Sequence, residues 1–348
     1  MTMIMGVRRH TSSRLTLALT LAVSTVPAMN FARGGNEKLQ YPTANTQLEQ
    51  RPSAFYMFTD RNFEGSKSTP WQGGQYGFVR TPQRTKAGVI MTKFHEGMDV
   101  APVNRDGSGE PRDPVMSMAA GKVVHTNSTS SKSNYGQYVV IQHDFDSGPF
   151  YSLYAHLNSI SVKSGQIVKP GSQLGILGYT GVGINKRRAH VHVELNMLLH
   201  SGFDRWHDKT QTTPNHHGVF NGINLVGVDV SKILAPKRGA SIQRMVKDLP
   251  VYYKVLVPNT GKIEILKRYP WLGKASNAPA YEIALSGSGI PIKISPHKSK
   301  VEYPVVTWVR YSPTYHKFYT KNRLSGTGST ASLTKSGREY IDLMIGAF

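Results

Sequence analysis

The sequence predicts an all-β protein, because short apolar segments follow one another closely and turn residues separate them. Between about residues 86 and 200 these segments have the lengths of strands, and helical spacing of apolar residues is scarce. They are AGVIM (87–91), GKVVHT (121–126), GQYVVIQH (136–143), FYSLYAH (150–156), GQIVKPG (165–171), QLGILGYTG (173–181) and AHVHVEL (189–195). This pattern indicates a small antiparallel β-sandwich or barrel.

Composition divides the chain of 348 residues into four parts. Residues 1–32 have basic residues, then the apolar stretch LTLALTLAVSTVPA with small residues before a cleavage site, which predicts a secretory signal peptide. We therefore expect export to the periplasm or the cell surface. Residues 33–85 are polar and Gly-rich and predict an irregular lead-in, whereas residues 86–235 hold the β domain. Residues 236–348 predict an additional basic, β-rich C-terminal region.

The C-terminal region contains five further stretches that predict strands, and one that predicts a helix. The strand-like stretches are VYYKVLV, KIEILKRY, YEIAL, IPIKI and VVTWVRY, and REYIDLMIGAF near the end predicts the helix. The region carries 18 Lys and Arg against 6 Asp and Glu, and its aromatic residues are interleaved with the basic ones. Two roles stay open for these aromatics, a surface that binds glycans or polyanions and the core of a small β domain.

Charge and cysteine content limit the classes of function. The formal net charge is +21, so association with polyanions is expected. For an exported chain, anionic envelope polymers are a better candidate partner than nucleic acid. The chain has no cysteine, which excludes disulfides, thiolate metal sites and cysteine nucleophiles. No apolar run is long enough for a transmembrane helix, so we expect none.

Four histidines and one aspartate stand at the ends of predicted strands. His190 and His192 in AHVHVEL are two residues apart, so a strand would point both side chains to one face. His95 and Asp99 lie in FHEGMD, and His156 ends the stretch SLYAH. Without thiolates, zinc binds nitrogen and oxygen donors, and a catalytic zinc site uses three protein ligands. Five candidates exceed three, and the others are candidates for acid–base chemistry beside the metal.

The order of these segments resembles the lysostaphin/LytM-type zinc endopeptidases of bacterial cell walls. HEGMD matches the His-x-Gly-x-Asp motif of that family, HVH matches its His-x-His motif, and the intervening segments follow the family order over residues 87–200. The resemblance implies a β fold of the duplicated-hybrid-motif type. It also implies one zinc ion per chain, bound by His95, Asp99 and His192. His156 and His190 would be the catalytic residues beside the open coordination position.

The function implied by this resemblance is an exported zinc metalloendopeptidase. It would hydrolyse peptide bonds in peptidoglycan cross-links or stem peptides by attack of a zinc-activated water. Two alternatives stay open, a non-catalytic wall-binding or hydrolase-activating protein on the same fold, and an endopeptidase of soluble Gly-rich proteins. A further hypothesis is that residues 33–85 cover the active site as a latency segment. The sequence specifies neither the bond cleaved nor the oligomeric state.

One stretch departs from the family pattern. The segment before the histidine pair is usually short, rich in glycine and serine, and ends in proline, but here it contains Lys186, Arg187 and Arg188. Two interpretations are open, contact with an acidic stem peptide and simple solvation. The departure concerns substrate preference and leaves the predicted metal ligands unaffected.

Overall fold

The computed structural model describes residues 37–234 and 241–348, so the predicted signal peptide lies outside the described residues. The described part consists mostly of antiparallel strands with few helices, which confirms the predicted all-β fold class. No helix in these two ranges combines the length and the apolar character that crossing a membrane requires.

The first part of the described chain forms one large sheet and two hairpins. Its strands are β1 (Arg61–Phe63), β2 (Ser66–Ser68), β3 (Gly77–Thr85), β4 (Gly88–His95), β5 (Met98–Val100), β6 (Pro114–Met116), β7 (Gly121–Asn127), β8 (Gln137–Phe145), β9 (Gly148–Ile160), β10 (Ile167–Val168), β11 (Gln173–Leu177), β12 (Val191–Leu198) and β13 (Leu225–Val228). β1 pairs with β2 and β3 with β4. The others form a nine-stranded sheet. Six of its strands have the order β10-β7-β8-β9-β11-β6, β12 pairs with β9, and β5 and β13 pair with β12.

Strand β12 separates the hydrophobic core from a polar cavity. Val191, Val193 and Leu195 belong to the main hydrophobic core cluster. His192 and Glu194 alternate with them and are also buried, but among polar groups. Because successive strand residues point to opposite faces, the alternation in the sequence determines which side chains enter the cavity.

The C-terminal region forms a second antiparallel sheet and a small hairpin. Its strands are β14 (Tyr253–Pro258), β15 (Ala280–Leu285), β16 (Pro291–His297), β17 (Val305–Val309), β18 (Leu324–Ser325) and β19 (Ser332–Leu333). The sheet has the order β16-β15-β14-β17, and β18 pairs with β19. Four of the five predicted strands of this region are therefore present.

The aromatic residues of the C-terminal region divide between core and surface. Tyr253 and Tyr281 are buried in the main hydrophobic cluster. Trp308, Tyr311 and Tyr315 are exposed, each by about half of its surface or more. The core role is therefore confirmed for the buried tyrosines, whereas binding of glycans or polyanions by the exposed aromatics stays a prediction.

Short helices connect the strands. They are α1 (Pro52–Phe55), α2 (Phe203–Thr210), α3 (Ser231–Leu234), α4 (Ile242–Lys247), α5 (Ile265–Arg268) and α6 (Lys335–Ile345). The helix predicted from REYIDLMIGAF is α6, whose interior residues are buried. The strand predicted from KIEILKRY is wrong, because α5 lies there. Ile263, Ile265, Leu266 and Tyr269 are buried, and the last three have the helical spacing i, i+1 and i+4.

Two segments are more regular than their composition predicts. Part of the expected irregular lead-in is strand β3, whose residues are partly or wholly exposed and therefore lack the apolar alternation of a half-buried strand. The loop-like segment after residue 196 contains helix α2. Phe203, Trp206 and His207 are buried at i, i+3 and i+4 on this helix, a spacing hidden by its many polar residues.

The C-terminal region packs tightly against the large sheet. The Tyr269 hydroxyl donates to the carbonyl oxygen of Pro149 at 2.6 Å and accepts from the Leu198 amide at 3.0 Å. The Trp271 indole donates to the Ser147 carbonyl at 2.6 Å. One hydrophobic cluster contains residues of both parts. The domain boundary proposed near residue 235 stays a prediction.

Asp342 on helix α6 makes the stability of the fold depend on pH. Burial raises the pKa of Asp342 to about 6. Because this folded-state pKa exceeds the ordinary value, the folded chain holds more protons than the unfolded chain between about pH 4 and pH 6. The contribution of Asp342 to the free energy of unfolding is therefore largest below pH 4, and it is lost as the pH rises through 6.

We therefore expect Asp342→Asn to be more stable than the parent at pH 7, by on the order of 1 kcal/mol. The difference should shrink as the pH falls to 4, where the parent side chain is protonated. Urea unfolding at the two pH values measures it, with Asp248→Asn at an exposed position as the control. An Asp342→Asn effect of equal size at both pH values would contradict the prediction.

Candidate metal centre

The five predicted site residues converge in one cavity. His95, Asp99, His156, His190 and His192 all line it, together with other polar side chains, and its volume is about 540 Å³. Each of the five is less than a tenth exposed. Residues separated by up to 97 positions in the sequence are thus neighbours here.

Strand register places these residues next to one another. In the antiparallel pair of β12 and β5, His192 lies directly opposite Asp99. His192 is also opposite Ala155 on β9, so His156 follows at the adjoining position. His190 just precedes β12, and its side chain lies on the same side as that of His192, since both reach the Asp99 carboxylate.

Gly97 lets His95 and Asp99 lie close to β12. A Cβ atom at position 97 would lie 2.4 Å from the Val193 carbonyl oxygen and 2.9 Å from Cε1 of His192. Both contacts are shorter than van der Waals separation, so any larger residue would push the loop away from the strand. Steric contact therefore explains why the His-x-Gly-x-Asp motif has glycine at this position.

Three side-chain atoms form a compact donor group, which we call the donor triad: Nε2 of His95, Oδ1 of Asp99 and Nδ1 of His192. The two nitrogens are 3.0 Å apart, and the oxygen lies 3.1 Å from His95 and 2.9 Å from His192. A tetrahedral metal site with bonds of about 2.1 Å separates its ligand atoms by about 3.4 Å. The donor triad therefore has the composition and nearly the spacing of a metal site.

Hydrogen bonds fix which nitrogen each histidine of the donor triad presents. Nδ1 of His95 donates to the Gln75 carbonyl oxygen at 2.7 Å, which leaves Nε2 as the nitrogen facing the centre. Nε2 of His192 donates to the Glu194 carboxylate at 2.8 Å, which leaves Nδ1 facing the centre. Such outer partners orient metal-binding imidazoles and make them more basic.

His156 and His190 flank the donor triad, and in both rings Nδ1 is bound to a backbone carbonyl oxygen. Nδ1 of His156 donates to the Thr180 carbonyl at 2.9 Å, and Nδ1 of His190 donates to the Arg188 carbonyl at 2.6 Å. Nε2 of His190 lies 3.4 Å from Oδ1 of Asp99, and the two flanking rings have their centroids 5.0 Å apart. His156 has a φ of +63°, a left-handed conformation that is uncommon for a non-glycine residue and is found at functional sites.

The cavity favours an ionised Asp99. Burial raises the pKa of Asp99, but the charges of His190, His95 and Arg80 outweigh it and hold that pKa well below its usual range. Asp99 is therefore a carboxylate at neutral pH, the form in which it binds cations.

The histidines respond to burial in two ways. Burial lowers the pKa of His95, and burial with the nearby His190 lowers the pKa of His156 well below its ordinary value. Burial also lowers the pKa of His192, but its hydrogen bonds to Asp99 and Glu194 reverse this effect and raise it to about 9. The difference arises because His192 alone bridges two buried carboxylates.

Glu194 is a site residue that the sequence interpretation missed. Its carboxylate is buried and accepts hydrogen bonds from Nε2 of His192, from the Tyr135 hydroxyl at 2.8 Å and from the Asn196 amide at 2.9 Å. The signal was available, since Glu194 lies two residues beyond His192 and a strand therefore points both to the same face.

Arg80 is a second residue that was missed. Its guanidinium donates to Oδ2 of Asp99 and lies 3.2 Å from Nε2 of His95, while its Nε donates to the Gly73 carbonyl at 2.8 Å. Arg80 lies on β3, opposite Lys93 of β4, and so belongs to the predicted lead-in. A segment outside the motifs thus brings a cation to the donor triad. The latency hypothesis for residues 33–85 stays a prediction.

Comparisons with known proteins find similarity over part of the chain. Residues 93–203 match the model of Peptidase family M23. The chain is 36% identical over 188 residues to the cell division protein DipM of Caulobacter vibrioides, covering 49% of this chain and 30% of that protein. It is 23% identical over 184 residues to the murein hydrolase activator NlpD of Salmonella dublin, covering 50% of this chain and 44% of that protein.

Among solved structures, the catalytic domain of lysostaphin from Staphylococcus simulans is 26% identical. The match covers 35% of this chain and 75% of that domain, with a TM-score of 0.25. This chain spans less than half the length of either curated relative.

Proposed function

We propose that this chain, whose residues 93–203 are a peptidase family M23 domain, is a zinc endopeptidase that cleaves peptide bonds of peptidoglycan. The observation that carries the proposal is the complete donor triad with two further histidines beside it. A hydrolase of this type needs three protein ligands, an open position and groups that transfer protons. The cavity has candidate residues for the three ligands and for the proton-transfer groups.

The donor triad suits zinc better than it suits the hard cations. Two imidazole nitrogens and one carboxylate oxygen are typical zinc ligands, whereas magnesium and calcium take oxygen ligands. We therefore assign His95, Asp99 and His192 as ligands of one zinc ion per chain. When bound, zinc would act as a Lewis acid and lower the pKa of a water molecule to about 7.

We assign the proton transfers to His156 and His190. Their Nδ1 atoms are bound to backbone carbonyl oxygens, so each ring offers Nε2 to a substrate. The low pKa of His156 means that its ring is neutral at pH 7 and accepts a proton. Once it has accepted a proton at Nε2, either ring would donate a hydrogen bond to the peptide oxygen and stabilise the negative charge that develops there.

Peptidoglycan as the substrate is supported by the family match and by the names of the curated relatives, one of which is a murein hydrolase activator. The net charge of +21 also suits an anionic wall polymer. We propose that the basic C-terminal region contributes to this attraction. Export through the N-terminal signal segment is part of the same proposal.

The second candidate function is a non-catalytic activator of other wall hydrolases. It is favoured by the similarity to NlpD, which is named for that role. An activator needs no proton-transfer group, and it needs no open metal position. The proposed catalytic function makes use of the five site residues together, and for that reason we place it first.

Digestion of purified peptidoglycan separates the two candidates. We expect new amino termini in the digest, their loss with a chelator and their return with added zinc. Mass spectrometry of the fragments identifies the bond that is cleaved. Protein that binds one equivalent of zinc and releases no new termini, while stimulating a separate wall hydrolase, would establish the activator instead. A soluble Gly-rich protein serves as the comparison substrate for the remaining alternative.

A further inference from the structure

The cavity contains cations that are not neutralised by carboxylates of the protein. Arg80, Lys93 and Arg188 all line it. Arg80 forms an ion pair with Asp99, so the Asp99 carboxylate neutralises its charge. Arg188 and Lys93 have no carboxylate oxygen within 4 Å among the described residues.

The carboxylates of the cavity have other partners. Glu96 forms an ion pair with Lys321 of the C-terminal region. Glu194 is bound to His192, at 2.8 Å. Asp99 is already engaged by the groups around it. Since these acids are occupied, Arg188 and Lys93 add positive charge to the cavity.

The three basic residues before the histidine pair are not equivalent. Lys186 forms an ion pair with Glu110 at 2.6 Å. Arg187 forms one with Asp60 at 2.5 Å and stacks over the Phe58 ring, at 4.8 Å from the ring centroid. These two side chains are therefore tied to acids outside the cavity.

Arg188 is anchored differently. Its Nε donates to the Phe58 carbonyl oxygen at 3.2 Å, and Nη1 donates to the Gly183 carbonyl at 3.4 Å. Both acceptors are uncharged carbonyl oxygens, so they hold the guanidinium in place and leave its positive charge unpaired. Its own carbonyl accepts from His190, which keeps the residue next to the proposed proton-transfer group.

Lys93 supplies the second cation. It lies on β4, two residues before His95, and its side chain is exposed. A peptide bound across the cavity would therefore meet one fixed cation and one flexible cation. A fixed guanidinium binds carboxylates through paired hydrogen bonds, which requires little further ordering.

We propose that Arg188, assisted by Lys93, binds a free carboxylate of the peptide substrate near the scissile bond. The preferred substrates are then acidic stem peptides, and peptides with the same carboxylate amidated are poor substrates. This inference rests on the proposed endopeptidase function. It also gives a role to Arg188, one of the three basic residues by which the sequence departs from the family pattern.

The test compares two synthetic stem peptides that differ only in one carboxylate or carboxamide group. A hydrogen bond to a charged group changes binding by about ten- to a hundredfold, so we expect a KM lower by this factor for the acidic peptide. Arg188→Gln should remove the preference, because the KM for the acidic peptide rises to that for the amidated peptide. The adjacent Arg187→Gln is the matched control and should keep the preference.

The outcomes distinguish this inference from the function on which it rests. Hydrolysis of neither peptide by the parent protein, with peptidoglycan also uncut, would overturn the proposed function. Equal KM values for both peptides in the parent protein would overturn the carboxylate site and leave the function intact. A preference for the acidic peptide that survives in Arg188→Gln would also overturn the carboxylate site and leave the function intact. Lys93→Gln provides a second variant at an exposed position, and there we expect a smaller loss of preference.

Discussion

Replacement of His192 by alanine should abolish both zinc binding and hydrolysis, whereas replacement of His190 should abolish only hydrolysis. His192 presents Nδ1 to the donor triad at 3.0 Å from His95 and 2.9 Å from Asp99, so its loss leaves two ligands. We expect zinc affinity to fall by more than about a hundredfold, which exceeds the usual effect of losing an outer-shell partner. His190 lies farther from the Asp99 oxygen, at 3.4 Å, and the donor triad stays intact without it.

The expected loss of rate in His190→Ala is about 10²- to 10⁴-fold, the usual contribution of a general acid or base. Zinc titration by calorimetry and release of amino termini from peptidoglycan are measured on the same samples. His217→Ala is the control for zinc binding, because His217 lines the same cavity but bonds to the Tyr138 hydroxyl at 2.6 Å. Equal loss of zinc from the His190 and His192 variants would show that the pair does not divide its roles in this way.

The five candidate residues could be named from local patterns, whereas the choice of His95, Asp99 and His192 as the three ligands came from the family resemblance. The alternation in AHVHVEL determines the face on which His190 and His192 lie. The spacing in FHEGMD fits a loop that only glycine at position 97 allows to approach β12. What the sequence could not supply was the register that sets His192 opposite Asp99, which depends on strands almost a hundred residues apart.

The role of Arg80 could not be predicted, because no local pattern in the sequence marks it. It lies in a hairpin strand whose faces are both partly exposed, so no apolar alternation marks the strand. Its position over Asp99 depends on tertiary contacts alone. The strand predicted in place of α5 was wrong for a different reason, since a short apolar run fits a strand and a helix equally well. Ile263 and Ile265 alternate as in a strand, whereas Ile265, Leu266 and Tyr269 have helical spacing, and all four are buried.

Glu194→Gln should weaken zinc binding by about ten- to a hundredfold and change the rate of the zinc-loaded enzyme much less. Glu194 holds Nε2 of His192 at 2.8 Å, so it fixes the ring that offers Nδ1 to the metal. Glutamine keeps the shape and one acceptor oxygen but removes the charge that makes the imidazole a better ligand. Loss of such a partner typically costs ten- to a hundredfold in metal affinity.

The surroundings of Glu194 make this substitution informative, because the fold tolerates it. Within the part of the chain that the structure describes, the side-chain oxygen of Asn196 has no hydrogen-bond partner, so a flip of the Asn196 amide gives the new glutamine NH₂ an acceptor. Tyr135→Phe is the matched variant. It removes a hydroxyl that donates to the same carboxylate at 2.8 Å but keeps the charge, and its effect on zinc affinity should be smaller. If Glu194→Gln binds zinc as tightly as the parent, the carboxylate only fills space beside His192. A graded loss, larger in Glu194→Gln than in Tyr135→Phe, would show that its charge acts on the metal through the imidazole.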